Sequence, residues 1–156
     1  MSRDDIGRRG EALAHLIITE LCGRNEPYFR PWFLDSKFPT FDYIVHLVDH
    51  PSYYFFVQVK TTTLGYTVGL PPRLQVKVSQ EDVDRMVACP APSYVLGIDV
   101  NQTCGFWLSV NEDRDHVASL TTKFRSECKV LGQLYDEVLT YWATRPMVLH
   151  GSKFKE

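Results

Sequence analysis

Two runs of residues, "FDYIVHLV" (Phe41–Val48) and "YYFFVQVKT" (Tyr53–Thr61), flank the cluster "DHPS". Both runs are rich in aromatic and β-branched residues, and the cluster between them has turn chemistry, so the stretch predicts an antiparallel β-hairpin. The second run reads as a buried strand until Gln58 and Lys60 interrupt it. Burying an amide or an ammonium without a partner costs several kcal/mol, so the fold must use these groups or wet them.

Side chains alternate along a strand, so Gln58 and Lys60 point the same way. On the first strand Asp42 shares its face with Ile44, His46 and Val48. Asp42 meets Gln58 and Lys60 only if paired residue numbers sum to an even value, as when Val48 faces Ser52 or Tyr54. A turn of about three to five residues permits that register. One end of the hairpin then gathers a carboxylate, an amide oxygen and an ammonium. Oxygen donors suit a hard cation such as Mg²⁺, with Asp42, the Gln58 side chain and the Val59 carbonyl as candidate ligands. Lys60 would help deprotonate an attacking water and offset charge on a phosphate.

The rest of the chain predicts a single α/β domain over 1–156. "SRDDIGRRGEALAHLIITELCG" is a helix capped by Ser2 with Asp5 and stopped at Gly23, its packing stripe running through Ile6, Gly10, Leu13, Ile17 and Leu21. Gly7 and Gly10 within it point to close approach of another backbone. A weak strand signal covers Tyr28–Phe33. "PRLQVKVS" is a further strand, "SQEDVDRMVAC" a short helix with Ser79 and Asp82 as its capping pair, and "SYVLGIDV" and "GFWLSV" two more strands. The last helix carries a stripe of Leu131, Leu134, Tyr135, Val138, Tyr141 and Trp142 and ends at Pro146. That stripe is core packing, or half of a dimer interface if too wide.

A net charge of −2 excludes a global basic field for coating nucleic acid, though not a few local cations such as Arg3, Arg8 and Arg9. No apolar run suits a membrane span, and the charged "MSRDDIGRRGE" is unlike a secretory signal, so a cytoplasmic protein is expected. The 4 cysteines lie far apart without a C-x-x-C pair, which predicts reduced thiols.

Glu11 in "GRRGEALA", Asp42 in "PTFDYIV" and Gln58-Val59-Lys60 in "FVQVKTTT" together resemble the PD-(D/E)XK nuclease superfamily in its Q-x-K form. Among its members the chain is similar to small prokaryotic domains associated with anti-phage defence. The later order of strand, helix and two strands is similar as well, so the resemblance covers most of the chain. It implies a restriction-endonuclease-like core, a mixed central sheet flanked by helices, and Mg²⁺- or Mn²⁺-dependent hydrolysis of phosphodiester bonds. In that scheme Glu11, Asp42 and Gln58 surround the metal and Lys60 assists. DNA is the implied substrate, gripped by Thr61, Lys77 and Arg8 and with help from a homodimer or a larger defence complex. Two rivals remain: a catalytically inactive binding subunit, and an RNA-directed nuclease. Phe41 replaces the motif's Pro. Gln58 replaces an acid and removes one negative charge, which puts weight on Glu11.

Among the other candidates, His46 reads as a face residue and Asp99 as turn-linked. The Tyr28–Trp32–Phe33 cluster is suited to core packing, to stacking on bases or to binding a partner.

Overall fold

The computed structural model describes residues 1–110, 115–147 and 150–155. Among these residues helix α1 (Arg3–Ile18) precedes four strands, α2 (Gln80–Ala88) precedes three more, and α3 (Cys128–Ala143) comes last. The strands are β1 (Phe29–Phe33), β2 (Tyr43–Leu47), β3 (Tyr54–Thr62), β4 (Arg73–Leu74), β5 (Ser93–Asp99), β6 (Cys104–Ser109) and β7 (Leu120–Thr121). Five of them form one mixed sheet in the order β1-β2-β3-β5-β6, with β3 and β5 parallel and the other neighbours antiparallel. The expected hairpin is β2–β3. It pairs Tyr43 with Val57 and His46 with Tyr54, an even-sum register.

Alternation divides the sheet into two faces, each with its own core. Phe29, Val45, Leu47, Phe55 and Val57 point toward Ala14 and Ile18 of α1 and Leu131, Leu134 and Val138 of α3. The α3 stripe is therefore core packing. On the opposite face Val83 and Met86 of α2 cover Val95 and Phe106, with Phe41 stacked on Phe56 at 4.6 Å. The stripe of α1 centres on Gly10, Ala14 and Ile18, because these small or slim residues let the helix lie close to β3. A Cβ on Gly10 would stand 2.3 Å from Thr61 Cγ2 and 2.9 Å from Thr61 Cβ. The close neighbour of Gly10 is thus a side chain rather than a backbone, and Gly7 has open space around it.

Several expectations are corrected. Helix α1 stops at Ile18 with Thr19 as its cap, not at Gly23, and Leu21 is exposed beyond it. Only Arg73–Leu74 of "PRLQVKVS" are in a strand, and they pair with β7 in a separate two-stranded sheet. Lys77 therefore lies on no strand of the main sheet. Cys22 and Cys128 form a disulfide across 106 residues, with Cα atoms 5.4 Å apart, while Cys89 and Cys104 are free. Spacing along the chain could not reveal that pair, because folding brings the loop after α1 to the first residue of α3. No helix among the described residues is long and apolar enough to cross a membrane.

Candidate functional site

The site forms where β2 begins and β3 ends its ladder with it. Asp42 lies one residue before β2 and has left the regular pairing: its N–H donates to the Val57 carbonyl at 2.9 Å. Its carboxylate accepts the Val59 N–H at 2.7 Å, so the side chain takes over a backbone bond that the ladder would have made. This position at the sheet's end exposes Asp42 to charges from both faces. Burial pushes its carboxyl above the ordinary carboxylate range; the Val59 N–H and Lys60 pull it down, while Glu11 and Asp82 push it up.

Gln58 and Lys60 point to the α2 side, where an unanticipated residue receives them. Asp82, in the first turn of α2, accepts the Gln58 Nε2–H at 2.9 Å through Oδ2 and the Thr40 hydroxyl at 2.8 Å through Oδ1. The Lys60 ammonium stands 4.0 Å from the same Oδ2. Burial alone would raise the Asp82 carboxyl, but the bonds from Gln58 and Thr40, the Lys60 charge and Ser79 outweigh it and hold the group below its ordinary value. Two neighbouring carboxyls are thereby driven in opposite directions. Gln58 itself is 4% exposed, and its Oε1 has no hydrogen-bond partner.

Glu11 approaches from the other face. The Tyr43 hydroxyl donates to its backbone carbonyl at 3.2 Å, which fixes α1 against the start of β2. Burial and the charges of Glu11 and Asp42 push the Tyr43 hydroxyl up to about 12. The ion-like groups of Glu11, Asp42, Lys60 and Asp82 thus share one electrostatic neighbourhood. A local opposition of charges, three carboxylates against one ammonium around an orphaned amide oxygen, suits polarising a reactant or holding a small hard cation.

Beside the site runs a cleft of about 470 Å³ lined by Arg3, Lys60, Thr61, Gln75 and Lys77. Of the expected substrate-binding residues, Thr61 and Lys77 line it; Arg8 is exposed on α1 and does not, and Arg3 takes that place. His46 is a face residue, as expected, with Nδ1 at 3.0 Å from the Leu47 carbonyl. Asp99 is turn-linked, accepting the Asn101 N–H at 3.0 Å. The aromatic cluster separates: Tyr28 packs on Tyr135, whereas Trp32 and Phe33 are exposed.

Two further members escaped sequence reasoning, Asp82 and Thr40. Asp82 reads as the capping partner of Ser79, and its backbone N–H does donate to the Ser79 hydroxyl at 3.1 Å. Its carboxylate, however, turns away to the site. Compared with family models, curated proteins and solved structures, the chain matches none.

Proposed function

We propose that the chain is a metal-dependent nuclease of PD-(D/E)XK type, with a restriction-endonuclease-like core, that hydrolyses DNA phosphodiester bonds. The observation that carries this reading is the buried Gln58 Oε1, unpartnered and set in the strand that flanks Asp42. A buried amide oxygen left without a donor costs about 1–3 kcal/mol unless something fills it. The donors present fit a hard divalent cation such as Mg²⁺ or Mn²⁺: Asp42, Gln58 Oε1, the Val59 carbonyl and Glu11 would hold it. No group of three His, Cys, Asp or Glu among the described residues could hold a metal ion. Mg²⁺ needs no such cage, since it keeps several waters and takes only one or two carboxylates. When bound, the metal supplies Lewis acidity toward the phosphate and a lowered pKa for water.

The chain's own residues do the rest. Lys60, about a third exposed and 4.0 Å from the Asp82 carboxylate, carries the ammonium that would meet a phosphate oxygen. Asp82 orients it and fixes the Gln58 amide so that Oε1, not Nε2, is left for the site. Arg3 and Lys77 along the cleft offer charge to the flanking phosphates. Substrate choice of DNA follows the resemblance, and a homodimer or a defence complex would add the grip that a net charge of −2 does not give.

One observation favours a second reading, a nuclease fold kept as a binding subunit: Asp82 already engages the Gln58 Nε2–H, the Thr40 hydroxyl and the Lys60 ammonium, so three polar groups of the site are partnered within the chain. Plasmid DNA cleavage in Mg²⁺ or Mn²⁺ separates the two. Lys60→Ala is expected to lose about a hundredfold or more in rate while circular dichroism stays unchanged. Wild-type protein that cuts nothing, or a variant that cuts equally well, would end the catalytic reading.

A further inference from the structure

We propose that the uncovered β1–β2 half of the sheet is a stacking surface for unpaired DNA, which it feeds to the site around Asp42 and Lys60. This rests on the nuclease reading for its substrate class.

The placement follows from alternation. Phe29 is fully buried in the core under α1 and α3, so Arg30 and Trp32 point to the opposite face, the one that α2 packs on. Helix α2 buries Val83 and Met86 against Val95 and Phe106, which belong to β5 and β6. Among the described residues no helix covers the β1–β2 end of that face, where α3 reaches only Tyr54 of β3, through Trp142 at 4.8 Å. Register sets its side chains in rows: Arg30 beside His46 beside Tyr54, and Trp32 beside Ile44. Trp32 is 55% exposed and lies over His46, with ring centroids 6.2 Å apart and planes within 26°.

What distinguishes Trp32 from the other exposed apolar side chains is its setting, an indole stacked on an imidazole in the row next to a guanidinium. Flat π faces beside a guanidinium match bases and phosphates, since stacking on aromatics is sequence-tolerant and Arg neutralises the backbone. Duplex bases already stack on one another, so only unpaired ones can use such a surface. The two rows contain a cation and no carboxylate, which suits a polyanion. Continuity gives direction: Asp42 lies two residues beyond Ile44, about 7 Å along the strand. A second copy pairing edge to edge is disfavoured because Pro31, in the middle of the edge strand β1, has no N–H to donate.

The test is fluorescence anisotropy of a labelled single-stranded oligonucleotide, with a hairpin duplex and the matched RNA as competitors, in chelator so that nothing is cut. Wild type is expected to prefer the single-stranded DNA. Trp32→Ala should weaken binding about fivefold or more, with Trp32→Phe retaining most of it. Arg30→Gln should weaken it and flatten its salt dependence. Binding should also quench tryptophan emission in wild type and not in Trp32→Phe, a readout that survives if Trp32→Ala folds poorly. The proposal is overturned by equal binding in Trp32→Ala and wild type, by preference for duplex or RNA, by no binding at all, or by a Trp32-dependent dimer in size-exclusion chromatography. Trp32-dependent binding without cleavage would leave it standing and remove the nuclease reading. Lys60-dependent cleavage with Trp32-independent binding would do the reverse.

Discussion

Asp82→Ala is the perturbation that most directly probes the site's construction. It strips the acceptor from Gln58 Nε2 at 2.9 Å and from the Thr40 hydroxyl at 2.8 Å, and removes the charge 4.0 Å from Lys60. Gln58 is buried, so its amide loses a partner that water cannot replace; that term is about 1–3 kcal/mol. Thr40 is half-buried and can turn to solvent, which leaves about 0.5 kcal/mol. The Lys60 side chain is 34% exposed, and after solvent screening its ion pair adds at most about 0.5 kcal/mol. The total is about 1.5–4 kcal/mol, dominated by Gln58. Urea denaturation followed by tryptophan emission measures it. Asp82→Asn keeps an acceptor for Gln58 and should lose only about 1 kcal/mol. Gln58→Met in the Asp82→Ala background should recover most of the loss, since two apolar groups leave nothing unpaired. A cost under about 0.5 kcal/mol for Asp82→Ala, or no coupling to Gln58, would refute the account of this network.

Two other outcomes are expected. Asp42 has its carboxyl raised in the folded protein, so the stability linked to its proton is present below the ordinary carboxylate range and lost as pH rises through the folded value. Asp42→Asn, measured in chelator, should therefore raise the urea midpoint at neutral pH, with the gain vanishing below about pH 4; a lower midpoint at neutral pH would contradict the sign. Gly10→Ala should cost about 1–2 kcal/mol, because overpacking against Thr61 outweighs the gain in helix propensity, and Thr61→Ala should restore part of it.

What could be read from the sequence were the features whose causes are local. The hairpin, its even-sum register and the Ser2 capping box each follow from residues within a few positions of one another, and each is present. The site's parity was legible for the same reason. Its details were not: Asp42 steps out of the ladder, and no pattern in "PTFDYIV" signals that its carboxylate will replace a backbone acceptor. The strand expected in "PRLQVKVS" shrank because its alternation serves a small separate sheet, and alternation reports a two-faced environment without saying which sheet provides it. The Cys22–Cys128 pair is set by tertiary placement alone.

Asp82 is the instructive case, because the sequence contains its control. Asp5 and Asp82 each stand three residues after a serine at a helix start, and nothing local tells them apart. Asp5 closes its capping box, its carboxylate returning to Ser2, while Asp82 gives Ser79 its backbone N–H and spends its carboxylate oxygens on Gln58 and Thr40. The difference lies across the fold: a buried amide on β3 offers Asp82 a bond in a drier place than the helix end, where a hydrogen bond to a charged acceptor is worth more. A carboxylate therefore stands beside Gln58 in space, on α2, and holds its amide. A search along the strand alone would miss this charge; counted in space, it lies beside Gln58 and 4.0 Å from Lys60, where the proposed nuclease reading would need it.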